Sequence, residues 1–176
     1  MTIVELVRHA KAYRRDQWWG RADRERPLTE SGVVQSRRLA RLLHERHGPI
    51  SGLYSSPFVR CVQTLEPLAE LASLKIALEP ALGEATTLPV HDGGDAWVAS
   101  AWLGGRAVAV VNRIVVEHAG GRVIVCSHGD VIPSVTALLV GRDGVDLDDV
   151  RCRKGGRFTL EFDGTVCVDI SASSAP

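Results

Sequence analysis

Arg8 and His9 in "LVRHAKA", Arg60 in "SSPFVRCVQ", and His128 in "VCSHGD" bring two guanidinium groups and two imidazoles within reach of one another if their segments converge. Taken singly, each has an ordinary explanation: a histidine after a strand caps or packs, a helix arginine is solvated, and Ser-His-Gly is a common turn. Taken together, four actual or latent cations repel one another unless an anion lies among them. Guanidinium forks match phosphate oxygens with paired hydrogen bonds, so a phosphoryl group is the natural guest.

Convergence requires a scaffold, and the flanking residues describe one. "TIVELV" and "RVIVC" are apolar, β-branched and without alternation, as central strands of a sheet covered on both faces are. Between them, Thr29 is a plausible N-cap for a helix to Glu45 that places Leu39, Ala40, Leu42 and Leu43 on one arc, with Arg37, Arg38, Arg41 and Glu45 opposite. A strand over 50–54 leads into "SSP", where Pro57 fits the first position of a helix that Pro67 kinks or ends. A strand at 75–78, a Gly/Pro/Thr-rich loop over 80–94, and a helix over 106–118 that stops at "AGG" come next. After "VIVC", a helix with Pro133 near its start follows Gly129, and "RFTLEFDGTVCVDI" reads as a hairpin about Asp163-Gly164. Alternating strands and helices predict a three-layer α/β/α sandwich with a mainly parallel sheet and an antiparallel edge. Arg8-His9, Ser55-Ser56 and Ser127-His128-Gly129 then follow the carboxyl ends of three strands, where ligands bind in such sheets. Helix N-termini near Pro57 and Gly129 add N–H groups there.

With 176 residues, the chain is expected to form a single domain over 1–176. Basic and acidic residues both number 21, so no global field favours a nucleic acid polymer or a membrane surface. No apolar run approaches a membrane span and no signal peptide opens the chain, which predicts a cytoplasmic protein. Cys61, Cys126, Cys152 and Cys167 lack disulfide or zinc-ligand spacing, so no metal and no thiol chemistry is expected.

Four segments, "LVRHAKA", "PLTESGVVQSRRLA", "YSSPFVRCVQTLEPLA" and "VIVCSHGDVIPSV", occur in the order found in the histidine phosphatase superfamily, of phosphoglycerate mutase-like fold, and the resemblance extends from residue 2 to about 140. The chain is most similar to its small SixA-type branch and to the C-terminal phosphatase domain of mycobacterial two-domain Nudix hydrolases. The resemblance implies that His9 is the nucleophile that becomes a phosphohistidine, and that Arg8, Arg60 and His128 hold the phosphoryl oxygens, without a metal or other cofactor. Glu84 in "ALGEATT" lies where many members supply the general acid; a solvated loop glutamate is the competing reading, with Asp130 and His91 as other candidates.

The chain departs from the common R-H-G pattern at Ala10 and Lys11. Lys11, with Arg14, Arg15 and Arg21 in "RRDQWWGRADRERPLTE", would favour a phosphorylated small molecule or phosphoprotein carrying further negative charge, unless Lys11 is simply solvated. Trp18 and Trp19 either stack on a ring of the substrate or pack their loop. Lys154 in "RKGG" reads more as a turn residue than as a substrate contact. The leading expectation is hydrolysis of a protein phosphohistidine or of a nucleotide or small phosphomonoester. A phosphoglycerate mutase-type phosphotransferase and a non-catalytic phosphate-binding module are the alternatives.

Overall fold

A computed structural model describes residues 1–46, 48–84 and 96–176, with side chains described from Val98 in the last segment. His91 and most of the 80–94 loop lie outside these residues.

Six strands form one sheet: β1 (Thr2–Arg8), β2 (Ile50–Ser55), β3 (Ile76–Leu78), β4 (Arg122–Ser127), β5 (Arg157–Asp163) and β6 (Val166–Ser173), in the order β3-β2-β4-β1-β5-β6. The first four are mutually parallel, and β5 pairs antiparallel with both β1 and β6. The hairpin therefore supplies the antiparallel edge that its turn residues indicated. Among the described residues, four α-helices cover the two faces: α1 (Glu30–Glu45), α2 (Val59–Ala72), α3 (Ala96–Glu117) and α4 (Val131–Asp143).

The helices divide according to which side of the central strands they bury. Val7, Ile124 and Cys126 pack with Leu39 and Leu43 of α1 and Leu65 and Leu68 of α2. Val4, Leu6, Val123 and Val125 face the other way, against Ala107, Val111 and Ile114 of α3 and Val135 and Leu139 of α4. Because successive strand residues point to opposite faces, the unbroken apolar runs of β1 and β4 are what a two-sided core demands. Every residue of β4 is buried.

Thr29 caps α1 as expected, its side-chain oxygen accepting from the Gly32 N–H at 3.1 Å. Leu42 is half-buried rather than enclosed, and Ser36 takes a place on the inner face. Two helix boundaries differ from the sequence reading. Helix α2 begins at Val59 and runs through Pro67 to Ala72, ending on Ser73 in a left-handed conformation. Proline removes one N–H donor but does not stop a helix whose inner face, Cys61, Leu65 and Leu68, is held by the core. Helix α3 begins ten residues before the expected start, and Gly104 within it is a packing contact rather than a break. A Cβ on Gly104 would lie 2.6 Å from Leu138 Cδ1 and 2.8 Å from the Ser134 carbonyl oxygen, so glycine lets α3 and α4 pack closely.

Register aligns the strand ends. Arg8 stands opposite Ser127 in the β1–β4 ladder, and Ser55 opposite Cys126 in the β2–β4 ladder. His9, Ser56 and His128 consequently leave the same edge of the sheet, at the carboxyl ends of three adjacent strands.

Candidate active site

His9 is 3% exposed, and its Nδ1 lies 2.7 Å from the carbonyl oxygen of Ala10. A carbonyl only accepts, so Nδ1 carries the proton and Nε2 keeps its lone pair. The Ala10 N–H donates to Thr64 Oγ1 at 2.9 Å, and Thr64 Oγ1 donates to the Arg60 carbonyl at 2.7 Å, which ties this loop to α2. Burial, then His128, Arg60 and Arg8, push the His9 imidazole down to a pKa of about 3, against the opposing pull of the Ala10 carbonyl. The ring is neutral throughout the physiological range.

Arg60 is fully buried on α2, with its guanidinium 4.7 Å above the Phe58 ring. Its NH1 donates to the Asp23 carbonyl at 2.9 Å, and its NH2 lies 3.1 Å from Asp23 Oδ2 and 3.0 Å from Glu84 Oε2. The NH2 contacts are ionic but poorly aligned as hydrogen bonds, so Nε and NH2 are buried donors without a well-directed acceptor among the described residues. Arg8 is similar: NH1 donates to the Cys152 carbonyl at 2.6 Å while its buried Nε has no partner among the described residues. Its guanidinium lies flat against Gly129, where a Cβ would sit 2.4 Å from Arg8 Cζ. The glycine of Ser-His-Gly is there because nothing larger leaves room for Arg8.

His128 is fully buried, with rings of His9 and Phe58 edge-on at 5.4 and 4.8 Å. Nε2 is 2.7 Å from Ser56 Oγ and Nδ1 is 3.2 Å from Glu84 Oε1. Burial pulls the ring down, but Cys61 Sγ, 3.4 Å from Nε2, and the Glu84 carboxylate outweigh it and raise the pKa to about 9. Glu84 itself, although burial opposes its charge, is held well below the usual carboxylate range by His128 and Arg60. It is set by the neighbouring turn, in which Ser127 Oγ donates to the Leu82 carbonyl at 2.7 Å.

Arg15 joins this group through an ion pair with Glu84 at 3.0 Å and a longer one with Asp23 at 3.4 Å. Arg14 pairs with Asp16 and Arg21 lies over the Trp18 ring, and neither touches the cluster. Trp18 Nε1 donates to the Ala22 carbonyl, packing the loop, whereas Trp19 is 89% exposed. Asp130 caps α4 by accepting from the Val131 N–H, and burial and Glu84 raise its pKa. Lys11 is exposed beside the site. Lys154 is in a turn, as its surroundings suggested, yet half-buried near Arg8, Arg26 and Lys11.

Sequence reading overlooked Asp23, Arg26 and the contact of Cys61 with His128, whereas Ser56 stands at a strand end as expected. Arg26 is buried, donating to the Tyr13 carbonyl and to Asp23 Oδ1 at 2.8 Å, and so holds Asp23 under Arg60. A ring nitrogen of His9, one of His128 and a Glu84 oxygen lie within 4.8 Å of one another, close enough to hold a metal ion. Arg8, Arg15 and Arg60 around them disfavour a cation and favour an anion.

An α/β/α sandwich that gathers two buried imidazoles, the buried guanidinium of Arg60 and the half-buried one of Arg8 at its parallel strand ends defines a phosphoryl-binding enzyme class. The chain belongs to the histidine phosphatase superfamily (branch 1), whose pattern it matches over residues 4–90 and 100–168. It is 30% identical over 175 residues, 98% of its length, to an 8-oxo-(d)GTP phosphatase of Mycolicibacterium smegmatis, and spans about half, 48%, of that relative. In fold it is similar to Bacillus stearothermophilus YhfR (TM-score 0.75, 18% identity, covering 95% of this chain and 94% of that one). It is likewise similar to the protein histidine phosphatase SixA complexed with tungstate (TM-score 0.62, 24% identity, 97% and 94%). No described helix is long and apolar enough to cross a membrane.

Proposed function

We propose that residues 1–176 form a phosphatase domain that works in the cytoplasm through a phosphohistidine on His9, without a metal. The observation that carries this reading is the Nδ1 contact of His9 with the Ala10 carbonyl, which leaves Nε2 unprotonated among Arg8, Arg60 and His128. Nε2 attacks phosphorus, the bond from phosphorus to the leaving group breaks (P–O in a phosphate ester or anhydride, P–N in a phosphohistidine), and a proton passes to the departing oxygen or nitrogen. Water then attacks the phosphohistidine, the P–N bond breaks, and phosphate departs. Arg8, Arg60 and protonated His128 stabilise the charge that builds on the equatorial oxygens.

Glu84 is the general acid of this scheme. It is ionised at rest, paired to Arg60, Arg15 and His128. A phosphoryl group entering the cradle competes for those cations and places negative charge beside the carboxylate, and both effects raise its proton affinity. The substrate is a protein phosphohistidine, or a nucleotide or small phosphomonoester; the likeness to an enzyme named for a nucleotide supports the second class. Arg15, placed on Glu84, and Lys11, exposed beside the site, contribute positive charge at the rim, whereas Arg14 is paired with Asp16 and Arg21 lies over Trp18.

Hydrolysis of p-nitrophenyl phosphate in the presence of EDTA, by wild type and by His9→Ala, tests the proposal together with mass-spectrometric trapping of the intermediate. Turnover that needs His9, with an acid-labile phosphate on that ring, is expected. Phosphate on another side chain, or undiminished turnover in the variant, overturns it. Because the resting Glu84 fills the cradle, a module that binds phosphate without turning over is the second reading, marked by phosphate binding with no hydrolysis.

A further inference from the structure

A second basic site adjoins the first. A solvent-open groove between the end of β1, the N-terminal half of α1 and the turn before β5 is lined by Lys11, Ser31, Gln35, Arg38 and Lys154, with Pro176 at its rim. The groove is built rather than incidental. Gln35 accepts from the Lys11 N–H at 3.0 Å and donates to the Lys154 carbonyl at 2.9 Å, fixing both lysine backbones to one helix. Next to Lys154, the Gly155 N–H bonds the carbonyls of Arg8 (3.0 Å) and His9 (3.2 Å), so the groove begins where the His9 cradle ends.

Its charges are uncompensated. Neither Lys11, Arg38 nor Lys154 forms an ion pair with any described carboxylate, whereas every acidic group of the cradle is already committed to Arg15, Arg26, Arg60 or His128. Burial, followed by Arg8, Arg26, Lys11 and Arg60, lowers the Lys154 pKa, so its ammonium is held against a positive field. An anion shared between the cradle and the groove removes this repulsion.

We propose that Lys11, Arg38 and Lys154 form a second anion subsite that holds a further phosphate of the substrate while its terminal phosphoryl group lies on His9. The substrate class is then a diphosphate or bisphosphate rather than an isolated monoester. This rests on the phosphatase reading above and narrows it.

The test compares kcat/KM for GDP with that for p-nitrophenyl phosphate, in wild type, Lys154→Met and Lys154→Arg. Loss of one charge-assisted contact to the second phosphate is expected to lower the GDP to p-nitrophenyl phosphate ratio about tenfold or more in Lys154→Met. Lys154→Arg, which keeps the charge, should retain most of the ratio. A proportional loss on both substrates, or an unmoved ratio, overturns the subsite.

Calorimetric binding of methylenediphosphonate and methylphosphonate separates the two claims. Wild type should prefer the diphosphonate, and Lys154→Met should lose most of that preference; equal weakening of both ligands overturns the subsite. Preference without turnover of either substrate condemns the phosphatase reading and supports the subsite.

Discussion

Two buried clusters of arginine and carboxylate lie on the same sheet and are arranged in opposite ways. In the first, Glu5 of β1, 1% exposed, is fixed between strands: Arg122 NH2 lies 3.3 Å away, Arg157 Nε 3.2 Å, and Thr159 Oγ1 donates at 2.9 Å, with Arg46 at 3.7 Å. Arg122 also donates to the Leu43 carbonyl at 2.9 Å, tying β4 to the end of α1. In the second, Arg60 and Arg26 are buried and Arg15 is exposed, and the acids opposite them, Asp23 and Glu84, come from connecting segments, outside α1–α4 and β1–β6. An anion bound into a sheet cannot be exchanged, and it holds strands together. An anion on a connection can yield its cations to an incoming phosphoryl group, which a site that must bind and release requires.

The sharpest break between the two is made by removing one ring. His9→Ala should lower kcat for p-nitrophenyl phosphate by about 10⁴-fold or more, with thermal stability unchanged or raised, since a buried imidazole among cations favours chemistry over stability. Glu5→Gln should do the reverse. It leaves Arg122 and Arg157 buried against a neutral group and should cost about 3–5 kcal/mol in urea unfolding, while activity per folded molecule is kept. If Glu5→Gln lowers activity in the folded state instead, the division between the clusters fails.

Smaller changes sharpen the comparison. Arg60→Ala should lower kcat by about 10²–10³-fold, as the loss of one preorganised donor to a transition state does. Gly129→Ala should cost about 10²-fold in kcat/KM by displacing Arg8 without removing any charge, detectable as an activity loss in a protein with normal unfolding. The mildest effect is that of pH. With a pKa of about 9, His128 is protonated below that value, so kcat/KM should hold through neutrality and fall as pH rises past it; His128→Asn should abolish that limb. The same raised pKa contributes stability below the unfolded value near 6.5 that is lost as pH climbs through 9. A limb that persists in His128→Asn would assign it to another group.

Much of this was legible before any coordinate. Arg8, His9, Arg60 and His128 are visible because each follows an element that announces itself, three apolar strands and the Pro57 turn, and because strand ends in parallel sheets are where ligands gather. Glu84 was recognised by resemblance alone, and its triple pairing is a tertiary fact. Asp23 and Arg26 were not singled out, because the polar segment that carries them holds five arginines, any of which could have faced inward. Glu5 was passed over inside "TIVELV" because its partners lie 117 and 152 residues away. The helix over 106–118 was expected too short because local propensity cannot see the neighbouring helix that makes glycine necessary at Gly104.

What the amino-acid order determined by itself is the list of strands and helices, the two-sided core, and which side chains stand at strand ends, since hydrophobic period and turn chemistry act over neighbouring residues. What only the tertiary structure decided is which distant charges meet: Asp23 and Glu84 on Arg60, Arg122 and Arg157 on Glu5, Lys154 beside Lys11. Such pairings depend on register and on the path of connections, and the Coulomb and hydrogen-bond energies that fix them are felt only over a few ångströms, after the sheet has brought the groups together.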